Sequence, residues 1–401
     1  MGLQQSKATT VEAGWSFLPP ELADLILHLL SSLADRVRFA SVCRRWRHTA
    51  IRYSPPTLPP VLPWINFLDG RFQSLPDGEM HSFHFGKHDL CVGSFGNWML
   101  FERVGNKPTR RHFLKDPLTG SITWLPGHCN EPVHLSPDDG YSQGTWSGSR
   151  STNFFTQKVI VCSGNLIAAM IRYRRHALAV VCCRPGMLSW STGVCTGPWY
   201  QDMAFYKGKL YTITTEGDLF AHEVTKHRGI GEPRISRIEH VIRAPPLHTL
   251  DGFYYAAFNC VRSCYLVVSR TGKLLMVRWI VPVEYYSPQD STKQMTLKVF
   301  EADFEMSRWL EVESIGDEAL FVSSNCSKAI KAPSHCGCIQ GDRIYFIDDG
   351  FMFYPFRSAS SKPRNCGVYD MRSKSVHPIA LGKVRIRDQS KALWFFPTST
   401  Q

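Results

Sequence analysis

GKLYTI, residues 208–213, is a glycine followed after one residue by an apolar-rich run, and the same unit, with a gap of one or two residues, returns at four other places. In chain order the series is GNWMLF from Gly96, GNLIAAM from Gly164, GKLYTI from Gly208, GKLLMV from Gly272 and GDRIYFI from Gly341, at spacings of 68, 44, 64 and 69 residues. Short apolar-rich runs bounded by Gly, Pro, Asp and Ser read as strands opened by turns. Three copies are followed 26 to 37 residues later by a tryptophan closing another strand: Trp124 in SITWLP, Trp190 in MLSW and Trp309 in SRWLEV. A recurrent all-β unit of this size predicts blades around a central axis. A β-sandwich or two stacked sheets would carry the same local pattern, and the uneven spacings leave the blade number open.

Upstream, SPPTLPPVLP at residues 54–63 has five prolines in ten positions and can neither continue a helix nor supply ladder donors to a sheet. It reads as a linker with little conformational freedom. Before it the period is helical. Leu22, Leu25, Ile26, Leu29 and Leu30 fall on one helical stripe, with Pro19 and Pro20 where a helix can begin, and Phe39, Val42, Cys43 and Trp46 form a second stripe. Two short amphipathic helices are expected. They bury too little apolar area to offset about 1–2 kcal/mol of backbone entropy per residue, so the module calls for a partner. The expected division is a flexible N-terminus at 1–14, the helical module at 15–53, the linker at 54–63, the β-domain at 64–396 and a tail at 397–401. The fold class is α+β multidomain: a small all-α module followed by a large all-β propeller.

The chain has 401 residues, 46 basic and 34 acidic, for a net charge of +12, with 43% hydrophobic positions. Collagen, coiled coil and wholesale disorder are excluded. Its 13 cysteines lack the dense spacing of a disulfide scaffold, which favours a reducing compartment, and a location in the nucleus and/or cytoplasm is expected. The N-terminus MGLQQSKATT has no apolar signal core. It does fit the M-G-x-x-x-S template for myristoylation at Gly2, so a membrane contact is expected only if Gly2 is lipidated, and one acyl chain alone anchors weakly.

Catalytic motifs are missing. No G-x-S-x-G, P-loop or dinucleotide fingerprint occurs, so no catalytic residue and no cofactor is assigned. His335, Cys336 and Cys338 form an HCGC cluster without the second ligand pair of a structural zinc site, and no metal is assigned. Cys182, Cys183, Cys260 and Cys264 sit in apolar strand-like runs, where reduced cysteine acts as a small hydrophobe. The basic-aromatic run IRYRRHA at 171–177 reads as a solvated strand edge rather than a stacking surface, and no nucleic acid partner is expected. Beyond residue 63 there are 39 basic and 30 acidic side chains, a net of +9 that would suit an acidic client segment.

The stretch from Trp15 to Arg52, WSFLPPELADLILHLLSSLADRVRFASVCRRWRHTAIR, is similar to the F-box. Leu18, Pro19, Glu21 and Leu22 match the L-P-x-E-L opening of that family. Leu25, Ile26 and Leu29 match its first long helix, and Phe39, Val42, Cys43, Arg45 and Trp46 its closing R-x-V-C-x-x-W segment. From about Pro60 to Phe396 the chain resembles the plant F-box-associated domain classed as a KIB-type β-propeller. That likeness is carried by PWINFLDGRFQSLPDG at Pro63, DPLTGSITWLP at Asp116, CRPGMLSW at Cys183, FYKGKLYTITTEGDL at Phe205, YLVVSRTGKLLMVRW at Tyr265, VFEADFEMSRWLEVESIGDEALFV at Val299, GDRIYFIDD at Gly341 and GVYDMRS at Gly367.

The resemblance implies a non-catalytic substrate-recruiting subunit of an SCF-type ubiquitin ligase. The helices would dock a Skp-family adaptor, and through it a cullin and a RING subunit, while the propeller binds an unidentified protein substrate. Leu18, Pro19, Leu22, Leu25, Ile26, Leu29, Val42 and Trp46 are the adaptor-binding candidates, some of which would instead hold the helices together. The alternative is a non-degradative interaction scaffold built on the propeller.

Overall fold

The computed structural model describes residues 18–52, 58, 61–75, 78–104, 110–129, 154–173, 177–192, 200–226, 232–244, 260–282, 296–333, 337, 339–347, 366–379 and 392–397. The chain divides into two compact units between Leu62 and Pro63.

The first unit has three helices, α1 (Pro20–Leu29), α2 (Leu33–Val42) and α3 (Arg44–Arg52), where the sequence pattern suggested two. Pro20 occupies the first turn of α1, where no N–H is needed, and the Pro19 carbonyl accepts from Leu22 N and Ala23 N at 3.1 Å each. The second helical stretch breaks at Cys43, which is extended (φ −159°, ψ 173°). Cys43 then opens α3: its carbonyl accepts from Arg47 N at 3.0 Å, and its Sγ lies 3.5 Å from Trp46 N. Trp46 still meets Phe39 across the break, with ring centroids 4.5 Å apart. The core is Ala23, Leu27, Phe39 and Leu58, with Leu18, Ile26, Leu30, Trp46 and Ala50 packed against it. Buried Arg36 donates from Nε to the Leu30 carbonyl at 2.8 Å, satisfying a backbone acceptor just past the end of α1. Burial lowers the Arg36 pKa to about 10.

The second unit is a six-bladed β-propeller. Blade one holds β1 (Trp64–Asn66), β2 (Arg71–Ser74) and β3 (Met80–Ser82), and blade two β4 (Asp89–Phe95), β5 (Trp98–Val104), β6 (Arg110–Lys115) and β7 (Ile122–Trp124). Blade three holds β8 (Phe154–Val161), β9 (Ile167–Tyr173), β10 (Ala177–Cys183) and β11 (Ser191–Thr192). Blade four holds β12 (Tyr200–Tyr206), β13 (Lys209–Thr214), β14 (Leu219–Lys226) and β15 (Pro233–Ile242). Blade five holds β16 (Cys260–Val268), β17 (Leu274–Pro282), β18 (Thr296–Asp303) and β19 (Arg308–Val312). Blade six holds β20 (Glu318–Val322), β21 (Lys328–Lys331), β22 (Arg343–Ile347), β23 (Cys366–Asp370) and β24 (Ser375–Pro378). Finally β25 (Leu393–Phe395) returns to pair antiparallel with β1, Trp64 opposite Phe395, and completes blade one.

The recurrent glycines now have a common place. Gly96, Gly164, Gly208 and Gly272 lie between the first and second strands of blades two to five, and Gly341 precedes β22 in blade six. At Lys207 and Gly208 both φ values are positive (44° and 82°), the two-residue turn whose twist suits the β12–β13 hairpin. Gly341 is fixed by contact: a Cβ there would lie 2.3 Å from the Gly316 carbonyl oxygen. In blade one the corresponding position is where the chain enters from Pro63, so no sixth glycine copy is required. Trp124 and Trp309 lie on outermost strands, and Trp190 directly precedes one. Blade six departs from the others, because β20 pairs parallel with β22 and the sheet order becomes β21-β20-β22-β23-β24.

Neighbouring blades are joined near the axis by side chains that bond to backbone. Ser94 Oγ donates to the Trp394 carbonyl (2.6 Å) and Trp394 Nε1 to the Val322 carbonyl (3.0 Å). Gln201 Oε1 accepts from Cys264 N (2.7 Å), and Asp202 accepts from Met203 N (2.7 Å), Leu266 N (2.8 Å) and Lys158 Nζ. The Lys158–Asp202 pair is fully enclosed, and burial pushes the Asp202 carboxyl up against the opposing pull of Lys158 and the two backbone donors. Between blades, apolar faces close-pack, as in Tyr265, Val267 and Val277 of blade five against Leu320, Val322 and Ile344 of blade six.

Antiparallel blades sort their connections by end. First-to-second and third-to-fourth strand turns emerge at one end, where Pro63 also enters, and the remaining connections at the other. β7, β15, β17, β22 and β24 run out at that other end. Among the described residues, Cys91, Cys129, Cys162, Cys182, Cys183, Cys264 and Cys326 are buried. Burial raises the thiols of Cys91, Cys162 and Cys182 to about 12, so they are inert hydrophobes, as expected for Cys182 and Cys183.

His222 is enclosed in blade four, with Nε2 2.8 Å from Thr212 Oγ1, and burial lowers its pKa to about 4. The unfolded chain therefore binds the extra proton first. His222 stabilises the fold fully above about pH 6.5 and loses that contribution as pH falls toward 4, a change on the order of 3 kcal/mol. A His222→Phe variant should flatten the acid limb of a plot of urea midpoint against pH between 6.5 and 4; an unchanged limb refutes the assignment.

Candidate functional site

Helix α1 carries two apolar stripes where the sequence pattern merged them into one. Ala23, Ile26, Leu27 and Leu30, at i, i+3, i+4 and i+7, face the core, and Leu27 is 1% exposed. Leu22, Leu25 and Leu29, at i, i+3 and i+7, form the second stripe and are 47%, 60% and 55% exposed. A soluble helix places polar residues on its outer face, so three exposed leucines in register mark a surface made to be covered. Covering them would contribute about 1.5–3 kcal/mol per side chain. Val42 at the end of α2 is also exposed, as are Val37 and Ile51.

A cleft of about 490 Å³ lies between the start of α1 and α3. Leu18, Ala23 and Trp46 line its apolar part, and Arg44, His48 and Arg52 its basic part. The Trp46 indole N–H is buried and makes no hydrogen bond, leaving a donor on a residue of the cleft. The opposite sign of charge is confined to Glu21, Asp24 and Asp35 on α1 and α2. The arrangement offers binding rather than chemistry: leucines for an apolar partner surface, and a basic cleft for acceptor groups beside it.

The eight candidates from the sequence therefore separate. Pro19, Leu22, Leu25, Leu29 and Val42 are exposed, whereas Leu18, Ile26 and Trp46 are partly buried against the helical core. Val37, Ile51 and the α3 basic residues were not among the candidates; apolar residues lying off the inward stripe would have pointed to the first two. Gly2, the HCGC residues His335, Cys336 and Cys338, and Arg174, Arg175 and His176 of the basic run lie outside the described residues. Among the described residues no cluster of three metal-ligating side chains occurs, and no helix is long and apolar enough to cross a membrane.

Three short helices with an uncovered leucine row, followed by a six-bladed propeller, define the class of an F-box substrate adaptor. The chain belongs to the KIB1-4 β-propeller family, whose family model matches residues 72–370, and an F-box-like model matches residues 15–53. It is similar to the Arabidopsis thaliana F-box protein SKIP23, 21% identical over 95% of this chain and 94% of that one. It is also similar to the F-box protein At2g26160 of the same plant, 22% identical over 84% and 96% of the two chains. The F-box/kelch-repeat protein At1g64840, again from that plant, is 22% identical over 86% and 87%. Membership supports an SCF-type substrate adaptor in general, and the F-box implies binding of a Skp-family adaptor.

The two stripes make opposite predictions. Leu27→Ala should cost about 2–4 kcal/mol of helical-unit stability by opening a cavity, while Leu25→Asp on the outer stripe should change it by less than about 0.5 kcal/mol. Amide hydrogen exchange of residues 20–52 in the full chain checks both, and equal loss of protection in the two variants would contradict the division.

Proposed function

We propose that this protein is the non-catalytic substrate-recruiting subunit of an SCF-type ubiquitin ligase, acting in the nucleus and/or cytoplasm. The observation that carries the reading is the exposed Leu22, Leu25 and Leu29 row on a helix whose other apolar stripe already fills the core. The row, with Pro19, Val42 and the cleft beside Leu18 and Trp46, docks the Skp-family adaptor, and the adaptor brings the cullin and RING subunits. Ile26 acts differently, by holding α1 on its own core. Transfer chemistry then stays with the conjugating enzyme, and this chain supplies proximity and orientation for a lysine-bearing client.

The client is captured at the propeller end where β7, β15, β17, β22 and β24 run out, since recognition is commonly built on loops carried by a rigid scaffold. The basic excess beyond residue 63 favours clients with acidic segments.

Co-purification tests the docking. Wild type should retain adaptor and cullin, and Leu25→Asp/Leu29→Asp should lose adaptor affinity by about 100-fold or more, from two leucines at about 1.5 kcal/mol or more each. An unchanged affinity sinks the assignment. Retained adaptor with a client whose lifetime does not respond to the double variant would identify a scaffold instead of a degradation receptor.

A further inference from the structure

Strand β7 ends the second sheet, and among the described residues no strand pairs with its outer edge. Leu125 N donates to the His112 carbonyl at 3.0 Å, and Phe113 lies opposite Trp124 in the β6–β7 ladder. Backbone groups alternate in direction along an antiparallel strand, so Ile122 and Trp124 turn their N–H and C=O groups away from β6. Edge strands are commonly guarded by charge or proline, and Ile122, Thr123 and Trp124 offer neither. Ile122 is 48% exposed and Trp124 38%.

An aromatic row leads out to this edge. Phe101 and Phe113 are buried and stacked 5.1 Å apart, and Trp124 follows 4.9 Å from Phe113. Two arginines cover its exposed end, with the Arg111 guanidinium 4.5 Å from the Trp124 ring and that of Arg103 5.1 Å away. The register places Asp89, Arg103, Arg111 and Lys115 on the same face of the blade as Trp124. Arg103 is compensated by Asp89, at 2.6 and 3.0 Å. Among the described residues Arg111 and Lys115 form no ion pair, so the face sets three cations against one carboxylate. The outer pair of strands in blade five is balanced by contrast, Lys298 pairing with Glu311 at 2.9 Å and Arg308 with Asp303 at 3.3 Å.

We propose that the outer edge of blade two binds an extended acidic segment of a partner protein by strand addition to β7. The main chain of that segment bonds to the outward groups of Ile122 and Trp124, and its acidic side chains lie on the Trp124 face against Arg111 and Lys115. Tryptophan and arginine together supply the large, weakly hydrated contact that anchors such an interface. The surface belongs to the propeller alone and does not rest on the ligase reading.

The test titrates the full chain into a fluorescein-labelled peptide of alternating glutamate and valine, about six residues long to match a strand, and follows anisotropy beside lysine–valine and glutamine–valine peptides. The acidic peptide should bind saturably and at least about tenfold tighter than the other two. Arg111→Glu/Lys115→Glu should weaken it about tenfold or more and favour the lysine peptide, which also reports that the variant is folded. Ile122→Pro removes an outward N–H without touching the β6 ladder and should weaken binding as well. No saturable binding, binding unaltered in the charge-reversed variant, or tighter binding of a single-stranded oligonucleotide than of the acidic peptide overturns the proposal. A measurement on the wild type needs no substitution: saturating peptide should slow amide hydrogen exchange over Ile122–Trp124, and equal exchange with and without it refutes strand addition whatever the variants do.

Discussion

The pairing of β25 with β1 is the contact on which the propeller depends. Trp64 faces Phe395 and Asn66 faces Leu393, so residues from the two ends of the domain share one ladder. Without it, β1 would present an unpaired edge toward the axis, and Trp394 would neither accept from Ser94 nor donate to the Val322 carbonyl. Six blades tilt and twist about an axis whose inner strands cannot all reach one another through backbone bonds. Asp202 and Gln201 show how that is resolved, each reaching sideways to a backbone N–H of the next blade. Such cross-blade bonds are effective because they are buried, where an unpaired carbonyl or carboxylate would be costly.

The helical unit follows a different economy. Its core is small, and α1 divides its apolar residues almost evenly between inside and outside. A partner that covered the outer stripe and bound only the folded helices would shift their folding equilibrium by its own affinity. Arg36 of α2, buried beside the end of α1 and bonded to the Leu30 carbonyl, ties the first two helices together.

Much of this was legible in the sequence because local chemistry and global fold agree there. Each glycine copy marks the same point in a blade, and a blade needs that turn wherever its first strand passes directly to its second. The sixth copy does not exist because blade one takes its first strand from the far end of the chain. The β20–β21 insertion left no trace in the pattern, since it depends on a parallel pairing between Ala319–Val322 and Arg343–Phe346 that no local period encodes. The helix break at Cys43 was hidden for a related reason. The spacing Phe39, Val42, Cys43, Trp46 keeps a helical period across the break, and Trp46 reaches Phe39 from α3 instead of from the same helix. On α1 the row Leu22, Leu25, Leu29 was legible as a partner-facing surface, but the same stripe also took in Ile26 and Leu30, which pack on the core, and left out Ala23 and Leu27, which fill it.

The order of synthesis gives the closing strand a temporal meaning. The ribosome releases the three helices first and β25 last, so during translation the leucine row is available while the ring is still an open arc with β1 unpaired. A nascent chain can meet its adaptor before it has any finished surface for a client. A chain interrupted before Leu393 would keep the docking helices and lack the strand that closes the ring, which makes premature termination a source of competitors for the adaptor and not merely of inactive fragments.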